Sequence, residues 1–142
     1  MSVIVVASDN ASVRREVISV LDNPDITILE AISGPDVITL AHEEDPDLVI
    51  CDLQMGAMGA IAVCLELRLQ ASYDALDSIP FLMLLDRRPD VFQAKRSGAD
   101  GWLVKPLDAI KIRRAVRALL VGDRYEDLSF QPATVLVGEK GG

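Results

Sequence analysis

The sequence predicts an α/β fold in which one doubly wound sheet of five parallel strands is flanked by five helices. Five short apolar runs alternate along the chain with five longer segments of helical character. The runs are rich in Val, Ile and Leu at successive positions, which is typical of strands buried on both faces of a parallel sheet. Alternation of strand and helix favours right-handed crossovers, and these place helices on both faces of the sheet.

The element boundaries follow from the apolar runs and from the Gly and Pro residues between them. The predicted strands span residues 3–7, 26–31, 48–51, 81–85 and 101–104. The predicted helices span residues 11–21, 36–43, 57–70, 89–97 and 107–121. Gly34-Pro35 opens the second helix, and Gly98 follows the fourth helix as a C-cap.

Length and composition bound the class of protein. A chain of 142 residues is long enough to form one domain whose core needs no disulfide or metal. The net charge of −8 argues against nucleic-acid binding, which requires a basic face. No run approaches the length of a membrane span, and the amino terminus lacks the basic segment of a signal peptide. Cys51 and Cys64 lie in apolar segments, which is typical of reduced, buried thiols in a cytoplasmic protein.

The composition changes after residue 121. We therefore expect a domain over residues 1–121 and a C-terminal tail over residues 122–142. Within that tail, residues 133–137 are apolar and are expected to form a strand, to pack on a partner or to be disordered.

Charged side chains follow three of the predicted strands. The first strand is followed by Ser8 and Asp9, the third by Asp52, and the fifth by Lys105 and Pro106. In a doubly wound sheet the carboxyl ends of the strands form the ligand site, near the point where the strand order reverses. One lysine and two aspartates at this edge predict a site where a phosphoryl group and a metal ion meet.

Simpler interpretations of the same residues stay open. An aspartate after a strand is usually a turn former or a helix cap. Asp9 could cap the first helix, although Asn10 and Ser12 could do so equally well. Lys105 could be a solvated lysine that pairs with Asp86 instead of a phosphate.

Four segments in a fixed order carry a more specific signal. They are Val5-Val-Ala-Ser-Asp9 with Ser12-Val-Arg-Arg, Asp52-Leu-Gln-Met-Gly-Ala-Met, Ile79-Pro-Phe-Leu-Met-Leu, and Gly98-Ala-Asp-Gly-Trp-Leu-Val-Lys-Pro106. Together they resemble the receiver domain of two-component response regulators, over roughly residues 1–121. The resemblance implies the flavodoxin-like receiver fold, a five-stranded parallel sheet in the order 2-1-3-4-5.

The resemblance also implies roles for individual residues. Asp52 matches the aspartate that accepts a phosphoryl group from a histidine kinase or a phosphotransfer protein. Asp9, Asp52 and the backbone carbonyl of Gln54 match the ligands of Mg²⁺. Lys105 matches the lysine that pairs with a phosphoryl oxygen, and Trp102 occupies the position of the aromatic switch residue.

Several positions depart from the family pattern. Ser8 stands where most members carry a second acidic residue, and Gly56 stands where they carry proline. Leu85 replaces the Thr or Ser whose hydroxyl binds the phosphoryl group, and a hydrogen bond to a charged group is worth about 1.5–3 kcal/mol. Asp86 replaces a small residue and brings negative charge towards the phosphoryl position. Without a hydroxyl at position 85, we expect Trp102 to be half-buried packing and not a moving switch.

The function expected from these residues is that of a stand-alone receiver domain, a signalling module and not an enzyme. Its output would be a contact with a downstream protein, through the face of the fourth helix, fifth strand and fifth helix or through the tail. A homodimer is left open. The alternative, motivated by Ser8, Leu85 and Asp86, is a degenerate receiver that acts as a phosphorylation-independent adaptor. A hydrolase of small phosphate compounds is a third reading, but it has no visible general base.

Overall fold

The structure, a computed structural model, describes residues 1–128, so the predicted strand at residues 133–137 lies outside the described part. One sheet of parallel strands has the order β2-β1-β3-β4-β5-β6. The strands are β1 (Ser2–Ala7), β2 (Ile26–Ala31), β3 (Leu48–Asp52), β4 (Phe81–Leu85), β5 (Gly101–Val104) and β6 (Tyr125–Glu126). The doubly wound α/β fold and the strand order 2-1-3-4-5 are therefore confirmed, with a sixth strand added at the β5 edge.

The sixth strand has only two residues, Tyr125 and Glu126, which pair in parallel with Gly101 and Trp102 of β5. The chain turns back towards the sheet through Gly122, whose φ of 88° lies in the left-handed region that favours glycine. The two strands approach closely, because a Cβ on Gly101 would lie 2.8 Å from the Tyr125 carbonyl oxygen. A two-residue strand is too short to produce an alternation pattern in the sequence, which explains why it was not predicted.

Among the described residues, five helices cover the sheet. They are α1 (Ala11–Val20), α2 (Gly34–Glu44), α3 (Ala60–Ser72), α4 (Val91–Ser97) and α5 (Ala109–Leu120), with a single 3₁₀ turn at Arg88–Asp90 before α4. Within residues 1–128 no helix has the length and apolar character needed to cross a bilayer.

Side-chain caps fix where three helices begin. Asn10 accepts a hydrogen bond from the Ser12 amide at the start of α1, and Asp108 accepts one from the Lys111 amide at the start of α5. Ser33 caps α2 in the same way. The third helix begins three residues later than predicted, because Ala57 adopts a left-handed φ of 71° in the loop after β3.

Two apolar clusters lie on opposite faces of the sheet, because alternate strand residues point to opposite sides. One cluster includes Leu85 and Trp102 and packs against α2, α3 and α4. The other includes Ile50 and Leu84 and packs against α1 and α5. Every residue of β3, β4 and β5 is buried, as predicted for strands covered on both faces.

The strand register brings the candidate site together. Ala7 lies beside Cys51, Asp52 lies beside Leu84, and Leu85 lies beside Val104. The residues that follow β1, β4 and β5 therefore meet Asp52 at one edge of the sheet.

Candidate functional site

Asp52 is the last residue of β3 and lies at the centre of this edge, with 4% of its surface exposed. Its Oδ1 accepts a hydrogen bond of 2.8 Å from the Lys105 ammonium. Its Oδ2 accepts one of 2.8 Å from the Ser8 hydroxyl. Each oxygen of this buried carboxylate therefore has a donor, which offsets the cost of removing it from water.

Lys105 is positioned by the end of β5. Its backbone amide donates to the Leu85 carbonyl oxygen at 2.9 Å, which extends the pairing of β4 and β5 by one residue. The following peptide bond, Lys105–Pro106, is cis. From this position the ammonium donates to Asp86 Oδ1 at 3.0 Å as well as to Asp52. Lys105 therefore bridges the ends of β3 and β4.

The pKa of Lys105 reflects these contacts. Burial, the largest influence, favours the neutral amine, but hydrogen bonds and charges from Asp52 and Asp86 outweigh it and raise the pKa above its ordinary value of 10.5. Lys105 is therefore a fixed positive charge at neutral pH. The pairing with Asp86 that was considered from the sequence is present, and the same ammonium also contacts Asp52.

Ser8 and Asp9 follow β1 and have different surroundings. Ser8 is fully buried, and its hydroxyl accepts a hydrogen bond from the Asn10 amide while donating to Asp52. Asp9 is exposed, and its Oδ2 accepts a hydrogen bond of 3.1 Å from the Gly56 amide in the loop after β3. Asn10, not Asp9, caps α1, so the Asp9 carboxylate is directed at the loop that follows Asp52.

The side chains at this edge that could coordinate a metal ion offer only oxygen atoms. Asp9 and Asp52 supply carboxylates, and Gln54 lies on the exposed loop two residues after Asp52. Oxygen ligands with one or two carboxylates fit the coordination chemistry of Mg²⁺. Ser8 provides a hydroxyl where a third carboxylate would strengthen such a site, and within residues 1–128 no group of three or more His, Cys, Asp or Glu side chains could hold a metal ion.

The two switch positions, Leu85 and Trp102, lie in the apolar core. Leu85 has no exposed surface and can donate no hydrogen bond to the site. Trp102 is 1% exposed, so the expectation that it is half-buried is wrong: α4 covers it, and the Lys95 ammonium lies 5.8 Å from its ring centroid. That distance is within the range of a cation–π contact.

Two residues near the site were not singled out from the sequence. Asp90 is buried, and its carboxylate accepts a hydrogen bond from the Arg87 amide, which fixes the turn before α4. Asp127 is buried after β6, and it accepts a hydrogen bond of 2.9 Å from the Val104 amide, next to Lys105. The run Arg87-Arg-Pro-Asp90 has the pattern of a capped turn, so Asp90 could have been found. Asp127 lies in the segment predicted to be a tail, and no local sequence pattern marks it.

Comparisons with known proteins agree with this geometry. Residues 4–117 match the family description "Response regulator receiver domain". The chain is 27% identical over 122 residues to PilH of Pseudomonas aeruginosa, a match that covers 86% of this chain and 100% of PilH. It is 33% identical over 124 residues to an uncharacterized response regulatory protein of Mycobacterium tuberculosis, covering 82% and 90% of the two chains. It is 29% identical to the probable transcriptional regulator ycf27 of Guillardia theta, of which the match spans 44%.

Solved structures show the same fold. The chemotaxis response regulator CheY4 of Vibrio cholerae matches with a TM-score of 0.73 and 25% identity, over 84% of this chain and 98% of that one. The signal receiver domain of a histidine kinase from Syntrophus aciditrophicus matches with a TM-score of 0.76 over 96% of this chain and 99% of that one, and at 22% identity it supports the fold alone. The family match and these relatives show that the chain belongs to the response regulator receiver domain family.

Proposed function

We propose that this chain accepts a phosphoryl group on Asp52 from the phosphohistidine of a histidine kinase or a phosphotransfer protein. Receiver domains are signalling domains that work with such donors and with downstream targets. The observation that supports the proposal is the 2.8 Å contact between the Lys105 ammonium and the buried Asp52 carboxylate, at the carboxyl edge of the sheet. A carboxylate held beside a fixed cation is arranged to receive a dianionic group.

The proposed step is a direct displacement at phosphorus. An oxygen of Asp52 forms the new bond, the bond between phosphorus and the donor nitrogen breaks, and the electron pair of that bond leaves with the histidine ring. Each carboxylate oxygen of Asp52 has a second lone pair beyond the one used by Lys105 or Ser8. The Lys105 ammonium then pairs with an oxygen of the transferred group and balances part of its charge.

The proposal includes a magnesium ion held by Asp9, Asp52 and the backbone carbonyl of Gln54. When bound, Mg²⁺ neutralises negative charge on the phosphoryl oxygens. Asp9 is already directed towards the loop after Asp52 by its hydrogen bond with the Gly56 amide. With two carboxylates instead of three, we expect weak affinity for the ion.

The proposed output is a contact with a downstream protein through the face of α4, β5 and α5. Arg114 is exposed on α5 on the side of Tyr125 and gives this face a positive charge, whereas Arg113 and Arg117 line a groove between α5 and the end of α1. The proposed receiver domain spans residues 1–121, and residues 122–142 form a C-terminal tail. Within this tail, Tyr125–Glu126 joins the sheet.

Labelling with radioactive acetyl phosphate in the presence of Mg²⁺ tests phosphorylation without requiring the cognate kinase. We expect label on the unaltered chain that is lost in Asp52→Asn, which keeps the shape of the side chain but removes the nucleophile. Asp77→Asn is the matched control, because Asp77 is exposed at the opposite edge of the sheet. Equal labelling of Asp52→Asn would contradict the proposal.

A second candidate function is a phosphorylation-independent adaptor. It is favoured by the Lys105–Asp86 pair and by Leu85, because the lysine already has a second anionic partner and the residue at the switch position has no hydroxyl. If the unaltered chain neither takes up label nor binds beryllofluoride at saturating Mg²⁺, the adaptor becomes the better account.

A further inference from the structure

Asp86 connects the phosphorylation site to the segment before α4. It directly follows β4, and its Oδ1 lies 3.0 Å from the Lys105 ammonium, which also contacts Asp52. Its side chain is 38% exposed, against 6% for Asp52. Asp86 can therefore leave the lysine and become solvated at low cost, whereas the buried Asp52 cannot.

A phosphoryl group on Asp52 would change this balance of charge. It would replace the single negative charge of the Asp52 carboxylate beside Lys105 with the roughly 1.5–2 negative charges of an acyl phosphate. Lys105 has a single positive charge and three donor hydrogens, and Asp52 and Asp86 already occupy two of them. Phosphoryl oxygens and the Asp86 carboxylate would then compete for one cation and would repel each other.

The segment after Asp86 is built to transmit a displacement. The Asp90 carboxylate accepts a hydrogen bond of 2.9 Å from the Arg87 amide, and the Asp90 amide donates to the Arg87 carbonyl oxygen. This turn leads directly into α4 at Val91. Because residues 87–90 are fixed to each other, movement of Asp86 would carry the start of α4 with it.

In the part of the chain that the structure describes, there is space beside α4. An open groove of about 530 Å³ lies between α4 and residues 126–128. It is lined on one side by Val91, Phe92 and Lys95 and has Trp102 at its base. A shift of the helix would change the environment of Trp102, because the Lys95 ammonium lies over its ring.

We propose that Asp86 is the relay residue of this receiver: the phosphoryl charge on Asp52 displaces Asp86 from Lys105, and the displacement moves residues 86–90 and α4. The relay rests on the proposed phosphorylation of Asp52. It differs from the hydroxyl mechanism implied by resemblance, in which a hydrogen bond draws the loop inward. Leu85 cannot make that hydrogen bond, and in its place electrostatic repulsion drives the next residue outward.

Trp102 is the only tryptophan of the chain, so its fluorescence reports on this region without labelling. The experiment titrates beryllofluoride with Mg²⁺, as a mimic of the acyl phosphate, into the unaltered full chain, Asp86→Asn, Asp86→Ala and the control Asp77→Asn. Fluorine NMR detects the bound ligand, and fluorescence detects the response of Trp102. Asp86→Asn keeps the size of the side chain and removes its charge.

In the unaltered chain and in Asp77→Asn, we expect bound beryllofluoride and a saturable change in Trp102 fluorescence. In both Asp86 variants, we expect the beryllofluoride concentration at half-saturation to be lower by up to about fivefold, because a negative charge that repels the ligand is removed. The Trp102 change should be lost in both.

Two results would overturn the relay alone. One is bound beryllofluoride with no Trp102 change in the unaltered chain, and the other is an undiminished Trp102 change in the Asp86 variants. Absence of bound beryllofluoride in the unaltered chain would overturn the proposed function as well. Failure of the relay alone can therefore be told apart from failure of the proposed function.

Discussion

The Ser8 hydroxyl donates a hydrogen bond of 2.8 Å to Oδ2 of Asp52, on the side of the carboxylate opposite Lys105. Ser8 is fully buried and also accepts a hydrogen bond from the Asn10 amide, so its orientation is fixed. Serine stands here where most receiver domains carry an acid, while Asp86 adds a carboxylate beside the lysine. Relative to the family pattern, one negative charge is therefore missing from the metal side and one is added on the lysine side.

Ser8→Asp should restore the charge on the metal side. We expect Mg²⁺ affinity to rise by about tenfold, because an added carboxylate ligand strengthens a hard-cation site. Without metal, the free energy of unfolding should fall by about 1–3 kcal/mol, because two carboxylates then face each other in a buried position. Urea denaturation with EDTA and with Mg²⁺ measures both effects, since the cation stabilises the folded state in proportion to its affinity.

Ser8→Ala is the control for this substitution. It removes the hydrogen bond to Asp52, so it should cost about 1.5–3 kcal/mol without raising Mg²⁺ affinity. Equal Mg²⁺ affinity in Ser8→Asp and the unaltered chain would show that position 8 does not face the metal.

Leu85→Thr should return a hydroxyl to the switch position. Leu85→Val is its matched control, because Val and Thr have the same shape and differ by the hydroxyl. In the free protein, Leu85→Thr should be less stable than Leu85→Val by about 1–3 kcal/mol, since position 85 has no exposed surface and the hydroxyl is buried there.

Binding of beryllofluoride with Mg²⁺ should instead favour Leu85→Thr over Leu85→Val. Leu85→Thr should bind the mimic at least about tenfold more tightly than Leu85→Val, because the hydroxyl donates to a charged ligand. Fluorine NMR titrations measure the two affinities. Indistinguishable affinities would mean that a hydroxyl at position 85 does not reach the ligand.

The sheet and the meeting of Asp52 with Lys105 were predictable because both follow from long-range rules about strands. Apolar runs with strand–helix alternation fix a parallel sheet, and the residues after its strands share one edge. The sequence also predicts the Lys105–Asp86 pair, as an alternative to a pairing of Lys105 with a phosphate. The sequence could not show that one ammonium makes both contacts, because that depends on side-chain geometry within about 3 Å.

The burial of Trp102 and the role of Asp127 could not be predicted, and the reasons are physical. Trp102 was expected to be half-buried, but α4 and the residues after α5 cover β5 more fully than its four-residue run implies. Asp127 accepts a hydrogen bond from the Val104 amide, 23 positions earlier in the sequence, and lies 3.5 Å from the Lys111 ammonium. No periodic pattern encodes such a contact.

Asp127→Ala should show whether the residues after α5 stabilise the sheet. Removing this buried carboxylate takes away the acceptor of the Val104 amide and the anionic partner of Lys111, and should lower the free energy of unfolding by about 1–3 kcal/mol. Hydrogen exchange at Val104 should become faster. Asp123→Ala, at an exposed position, is the control and should change the free energy of unfolding by less than about 0.5 kcal/mol.

Cys51 leads to a prediction about alkaline pH. Burial, with a smaller contribution from the neighbouring Asp52 charge, raises the pKa of its thiol far above the ordinary value of 9.0. Above pH 9.0 the unfolded chain therefore loses a proton that the folded chain keeps, so stability is lost as pH rises. The slope attributable to Cys51 should be about 1.4 kcal/mol per pH unit.

Urea denaturation of the unaltered chain and of Cys51→Ala, at several pH values from neutral to alkaline, isolates this contribution. The variant should be less stable at neutral pH, because it leaves a small cavity in the core, and the two curves should converge above pH 9.0. Cys64, whose pKa burial also raises, contributes equally to both proteins and cancels in the comparison. Parallel curves would show that the Cys51 thiol ionises as easily in the folded chain as in the unfolded one, which its complete burial beside Asp52 should prevent.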